Sequence, residues 1–419
     1  MKEIVPHYIA KIEGHGSLRI DYTTDSAKMQ IHEGERLFEG MLIGRDFMDG
    51  VFIPQRICGV CPTAHCMAAL KALEYAMGVE VSETTRSLRK LMLAGQIIQS
   101  HALHLFFLVL PDYMHVDSVI NIATKHPDKF GLALRLKKIG DKIVEVVGGR
   151  PVHPVTPEVG GFSKVPSAKV LGDLRDEIEE LLPDGLACIE LFSSLQVPEL
   201  ENPSQYLSIR AESQYGFYGG KIVNSTSGDA FDIADYNDHV AEIVRPYSTA
   251  KFAKTQEKGF MVGSLARMNL HSDLMNPMAK QATAESGVKF PSYNSFHNNL
   301  CQAIEILHFL EEAIIRIDDV CGTNAGLADH KQDVRVRAGV GSGAVEAPRG
   351  TLYYTYGVGG DGKITECNII TPTVQNLANI EFDAAELLHI TEGKEREERE
   401  DLLEMLVRAY DPCITCSVH

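Results

Sequence analysis

The sequence predicts an α+β fold, mostly α, in which a central bundle of long helices carries small peripheral antiparallel sheets. Three observations point there. Long apolar-rich stretches sit between helix caps and helix breakers, as in the run from Ser82 to Pro111. Two β-prone segments near the end flank Gly359-Gly360-Asp361-Gly362, a strong hairpin signal. Two Cys-x-x-Cys pairs, Cys58 with Cys61 and Cys413 with Cys416, lie near opposite ends of the chain. If they share one metal, the first and last segments meet in space and residues 1–419 form a single interwoven domain.

Taken in order, Ser17-Leu18-Arg19-Ile20-Asp21-Tyr22 reads as a strand, with residues 29–32 as its partner. Helical spacing begins near Arg36 and runs to about Met48. Pro62 supplies an N1 residue and Gly78 a C′ residue for a helix of about four turns. A long helix follows from a Ser82 cap toward Leu110, closed by Pro111. Further helices are expected over 116–147, 168–196, 293–319 and 375–408, with strand or loop character at 217–227 and 260–267. Segments 350–358 and 363–371 make the hairpin. No internal repeat or flexible linker interrupts this order.

With 419 residues and 44% hydrophobic content, the chain has material for a large core. A net charge of −17 argues against a nucleic-acid or anionic-membrane surface. No early run has the charge and apolar pattern of a secretory signal. The most apolar stretches, 91–98 and 103–110, fall short of the roughly 18–20 residues that span a bilayer, so they read as buried core helices. Nine cysteines, an odd count in a long chain, favour a reducing cytoplasm over a disulfide framework.

The cysteine pairs carry the chemistry. Cys61 directly precedes Pro62 and so falls at a helix N-cap, where partial positive charge and free N–H groups favour a thiolate. His65, four residues on, shares that face and can donate a hydrogen bond to a metal-bound sulfur. Four thiolates suit either a structural zinc or a softer redox metal. Zinc knuckles, however, sit on hairpins with short spacers, whereas most of the chain separates these pairs. Glu13, Arg349 and Asp411 add proton-carrying carboxylates and a guanidinium for which an inert zinc site has no use.

Together these residues resemble the large, catalytic subunit of nickel–iron hydrogenases. The matching stretches are Ile12-Glu13-Gly14-His15, Arg56-Ile57-Cys58-Gly59-Val60-Cys61 with His65, and Ser100-His101-Ala102-Leu103-His104. Ala347-Pro348-Arg349-Gly350, Thr371-Pro372-Thr373 and the Asp411-Pro412-Cys413 terminus with Cys416 and His419 complete the set. Compact length and the Val407-Arg408-Ala409-Tyr410 lead-in look most like the soluble cytoplasmic multi-subunit branch. A related complex I quinone-site subunit, the alternative reading, lacks the four cysteines present here.

The resemblance implies a nickel held by Cys58, Cys61, Cys413 and Cys416, with Cys61 and Cys416 bridging to an iron that carries carbon monoxide and cyanide. Arg349 and the Thr373 hydroxyl would cradle cyanide, and Pro348 would wall the carbon monoxide. Reversible heterolytic cleavage of H2 follows, with Cys413 as base, Glu13 as first relay group, and Asp112 and Asp411 orienting Arg349. Glu39, His419 and a carbonyl near 367–370 would hold a magnesium or iron ion. The scattered cysteines lack cluster spacing, so the resemblance places iron–sulfur clusters in a partner small subunit, with further flavin or iron–sulfur subunits leading to NAD(P)- or ferredoxin-type acceptors. It also implies a gene that encodes a short extension beyond His419, removed after nickel insertion.

Overall fold

A computed structural model gives the fold, described for residues 4–255, 259–322 and 326–419. Helix α1, Pro62–Met77, starts on Cys61 and ends at Gly78, whose φ of 65° suits the left-handed cap. Helix α2, Glu83–Leu103, is capped by the Ser82 hydroxyl accepting from Thr85 N. Pro111 does not close it: a π-helical turn, His104–Val109, leads into a last turn, Leu110–Tyr113, that tolerates proline near its start. The two apolar stretches therefore merge into one helix, Glu83–Tyr113, long and apolar enough to cross a membrane. Its most apolar window is 83% buried inside the protein, as a core helix would be.

Three expected long helices are each broken in two. Over 116–147 the break comes at His126, which leaves helical geometry ahead of Pro127, so α3 is Pro127–Gly148 after a short Val119–Lys125 helix. Over 168–196 the chain re-forms around Pro183 as α4, Ala168–Glu179, and α5, Leu182–Ser193. Residues 260–267 were expected as strand or loop, but Gly263 (φ 115°) turns the chain into α6, Ser264–His271. Helix α7 is Asn298–Gly322. The 375–408 stretch divides at Gly393 (φ 91°) into α8, Pro372–Ile390, and α9, Arg396–Ala409. The helix expected over 36–48 reduces to single turns, Phe38–Leu42 and Asp49–Phe52, because Gly44 takes a left-handed φ of 82°. Residues 44–47 then hydrogen-bond to the backbone of Gly362 and Ile364.

Three main sheets edge the bundle, all antiparallel. β1 (Ile4–Ile9), β2 (Gly16–Asp21) and β3 (Ser26–Ile31) form a meander, with β1 an addition to the two expected strands. A second sheet joins Leu207–Arg210, Lys221–Asn224 and Ala230–Phe231. The third pairs β4 (Gly339–Ala347) with β5 (Gly350–Val358), and β5 with β6 (Ile364–Ile370) across the expected hairpin. The principal core is continuous from Ile9 to Val418.

Two close approaches set the geometry of this core. Gly95 on α2 and Gly140 on α3 face each other; a Cβ on Gly140 would stand 2.6 Å from Gln99 N and from Gly95 O. On β4, alternate residues Gly339, Gly341 and Gly343 lie on the backbone of α1 at Ala68, Ala72 and Ala76. Strand period two thus meets helix period four along one seam. The seam fixes the spacing between α1, which begins at Cys61, and β4, which ends two residues before Arg349.

Gly341→Ala, which drives a methyl into the backbone of Ala72 and Ala76, should destabilise the chain by about 1–3 kcal/mol in denaturant unfolding. Gly172→Ala, on α4 with nothing within 4 Å of the new methyl, should stabilise it by roughly 0.5–1 kcal/mol.

Candidate metal centre

Both cysteine loops are fixed by residues remote in sequence. A 3-10 turn over Pro54–Ile57 delivers Cys58 in extended geometry. From α2, Gln96 and Gln99 both donate to Val60 O (2.8 and 2.9 Å), and Gln96 Oε1 accepts from Ala64 N. Cys61 caps α1 without using its sulfur in a capping bond. At the other end Asp411 adopts a φ of 51°, and Cys413 N donates to Thr373 Oγ1 at 2.9 Å. Ile414 N donates to Glu13 O, which aligns the Glu13 segment beside Cys413. Arg36 ties the two loops together: one guanidinium nitrogen donates to Ile57 O (2.7 Å) and to Thr415 O, the residues preceding Cys58 and Cys416.

The result is a cage of four buried sulfurs, all within 4.8 Å of one another. Cys58 and Cys413 are 3.3 Å apart, Cys61 and Cys416 3.4 Å, Cys413 and Cys416 2.7 Å. Their titration shows why a cation belongs there. Hydrogen bonds from Cys413 and Cys416 hold the Cys58 thiol well below its ordinary value, while burial pushes those of Cys413 and Cys416 well up. The protein alone favours a single charged sulfur; four thiolates this close need a bound soft cation. The donor set fits the nickel–iron group that the sequence implied.

Around the cage, His65 places Nε2 3.8 Å from Cys416 Sγ, so it reaches the C-terminal pair and not Cys61. Its Nδ1 is 2.6 Å from Tyr354 Oη. Burial raises the Tyr354 phenol well above its ordinary value and lowers His65 to about 3, so both are neutral. With Cys416 as a thiolate, Tyr354 donates to Nδ1 and Nε2–H faces the sulfur.

Arg349 is 4% exposed and donates Nε–H to Asp411 O at 2.7 Å. Nη2 lies 2.9 Å from Asp411 Oδ1 without hydrogen-bond alignment, so both terminal nitrogens keep their N–H groups unpaired. Burial works against its charge, but Asp411 and the sulfurs hold it well above the ordinary value. A cavity of about 10 Å³, room for roughly one water-sized molecule, is lined by Arg349, Pro348, Thr373 and the sulfurs of Cys61, Cys413 and Cys416. Asp112, expected to orient Arg349, instead pairs with Lys11 and Arg408 at 2.5 Å each, two cations that claim its carboxylate.

On the opposite side Glu13 accepts from Thr415 N (3.1 Å) and Thr415 Oγ1 (2.5 Å), and that hydroxyl lies 3.7 Å from Cys413 Sγ. Near the chain end, Glu39 accepts from Ile369 N (2.7 Å), while His419 Nε2 faces Ile369 O (2.8 Å) and Nδ1 faces Cys416 O (2.7 Å). Glu39 and His419 thus both meet the backbone of Ile369.

Sequence reasoning missed Arg36, Gln96, Gln99, Tyr354 and Thr415. Only Thr415 had a visible signal, as a hydroxyl inside the second cysteine pair; the others are brought in by tertiary packing.

The chain matches the family described as nickel-dependent hydrogenase over residues 36–131 and 178–419. It is 36% identical to the alpha subunit of sulfhydrogenase 1 of Pyrococcus furiosus, covering 98% of this chain and 96% of that protein. It is 32% identical to the alpha subunit of sulfhydrogenase 2 of the same organism, over 98% and 97%. Among solved structures, an NAD+-reducing [NiFe]-hydrogenase in the H2-reduced state aligns with a TM-score of 0.86 at 27% identity, covering 99% of this chain and 98% of that one. The four-sulfur cage, the matched motifs and these similarities over the chain's length agree: the chain belongs to the nickel-dependent hydrogenase family, as the large subunit that holds the nickel–iron site.

Proposed function

We propose that this subunit performs reversible heterolytic cleavage of H2, passing protons out through Cys413, Thr415 and Glu13 and electrons to an iron–sulfur small subunit. The observation that carries the reading is the set of groups around the sulfur cage: a small cavity lined by Arg349 and by Cys61, Cys413 and Cys416, with guanidinium N–H groups that make no hydrogen bond, and a hydroxyl–carboxylate pair, Thr415 and Glu13, beside Cys413. Bound by Cys58, Cys61, Cys413 and Cys416, the nickel–iron group with its carbon monoxide and cyanide ligands supplies the redox chemistry.

The chain's residues then have separable roles. Arg349 presents a fixed positive charge to the cavity and does not titrate. Thr373 Oγ1 accepts from Cys413 N, which leaves its own hydrogen free for a cyanide nitrogen, and Pro348 adds an apolar wall. Cys413 Sγ takes the proton. It passes to Thr415 Oγ1 as the Thr415 hydroxyl proton moves to Glu13 Oε1. Asp411 steadies Arg349; Asp112 acts at one remove, holding Lys11 two residues before Glu13 and Arg408 three before Asp411. Glu39, His419 and Ile369 O hold a magnesium or iron ion that anchors the C-terminal pair.

The four-cysteine cage is the one metal-ligand group of its kind among the described residues, which supports placing the iron–sulfur clusters in a partner protein. Onward transfer to an NAD(P)- or ferredoxin-type acceptor, a cytoplasmic location and a single catalytic domain over residues 1–419 complete the reading.

Glu13→Gln should abolish H/D exchange and turnover while nickel content stays unchanged; retained exchange removes Glu13 from the route. Thr415→Val, which keeps shape and loses the hydroxyl, should slow exchange by roughly 10²-fold. Elemental analysis of the assembled enzyme should find nickel and iron near stoichiometric, and zinc alone would sink the assignment.

A further inference from the structure

The turn that carries Arg349 is gripped from behind by a second, fully buried arginine. Arg267, on α6, bridges three elements. Its Nε and Nη2 form a bidentate pair with Glu305 of α7 at 2.6 and 2.7 Å, and Nη1 meets Glu346 of β4 at 2.9 Å. The same guanidinium donates to two consecutive carbonyls, Ala347 O (3.2 Å) from Nη1 and Pro348 O (3.1 Å) from Nη2.

Both carboxylates are arranged to hold Arg267 in one place. Glu305 also accepts from Tyr215 Oη, Ser264 Oγ and His101 Nε2, so five donors converge on it. Glu346 also accepts from Ile209 N and Thr351 Oγ1. Arg267, Glu305 and Glu346 all have 0% exposure. Burying such charges costs several kcal/mol per ion unless geometry and hydrogen bonds compensate, so the network is a weak source of stability and a strong source of geometry. The turn is boxed on its other side as well: a Cβ on Gly263 would stand 3.2 Å from Arg349 O.

We propose that Arg267 is a positioning residue for the reaction, bracing the Ala347–Pro348 carbonyls so that Arg349 presents its guanidinium to the sulfur cage. Only a planar fork reaches Glu305 along one edge and two successive carbonyls with its remaining N–H groups; a lysine ammonium has the charge without that shape. Loss of the brace lets the turn shift, and a displacement near 1 Å over a reacting centre costs on the order of 10²-fold in rate. The inference rests on the role given to Arg349 above.

The test is a double-mutant cycle in the assembled enzyme, with R267K and E305Q each made alone and together with R349K. R267K should lower kcat by roughly 10- to 100-fold with nickel and iron content retained. In the R349K background it should add no more than about a twofold loss, because both act through one group. The infrared bands of the iron's diatomic ligands should shift in R267K toward their R349K positions. Equal losses in the two backgrounds, or unshifted bands, overturn the proposal and leave Arg267 a structural residue. If R267K does not assemble, E305Q, which misplaces the same guanidinium by setting an amide against its donors, decides by the same comparison. Unchanged turnover in R349K alone defeats the role of Arg349, and the brace with it, and is a separate result from equal losses.

Discussion

Four sulfurs that must share one metal, two from each end of the chain, are the constraint on which the rest depends. Thiolates at 2.7–3.4 Å repel, so holding all four charged calls for a cation among them. The fold answers by anchoring each loop before any metal is considered. Gln96 and Gln99 fix the first pair from α2, Thr373 and the Glu13 segment fix the second, and Arg36 clasps both. Since Arg36 N also donates to Val418 O, the last residues are closed over the first sixty.

The interior around the cage is charged where an ordinary core is apolar. Arg349, Arg267, Glu305, Glu346 and Asp411 are all at most 4% exposed. Such groups survive burial because nearly every donor and acceptor is matched, and the exceptions are informative. Arg349 leaves both terminal nitrogens without a hydrogen bond, though Nη2 is ion-paired with Asp411, and it lines a small cavity together with three of the four cysteines. By contrast, Arg267 makes bonds from Nε, Nη1 and Nη2. One arginine is kept available and the other is consumed in holding it.

Much of this was legible in the sequence, and the parts that were not share a cause. Cysteine spacing, the Cys61–Pro62 helix start and the Gly-rich hairpin are local signals, and the structure has them in place. Glycine and proline breaks inside 116–147, 168–196 and 375–408 were visible as residues, yet apolar periodicity ran through them and outweighed them. Arg36, Gln96 and Tyr354 leave no local trace, because their partners lie 21, 36 and 289 residues away. Asp112 shows the limit from the other direction: it was expected to orient Arg349, but packing gives its carboxylate to Lys11 and Arg408.

The surroundings of the cage are also unequal in exposure. Arg349 and Asp411 are sealed in the core, at 4% and 2% exposure. Glu13 is only partly buried, and it pairs with the Cys413 backbone, one residue from Gly14, whose φ of 83° and closeness to Ile414 bring the two backbones together. Glu13 is hydrogen-bonded to the Thr415 hydroxyl, which lies 3.7 Å from Cys413 Sγ. Buried charges on one flank and a partly exposed hydroxyl–carboxylate pair on the other make the two surroundings of the sulfurs chemically unlike.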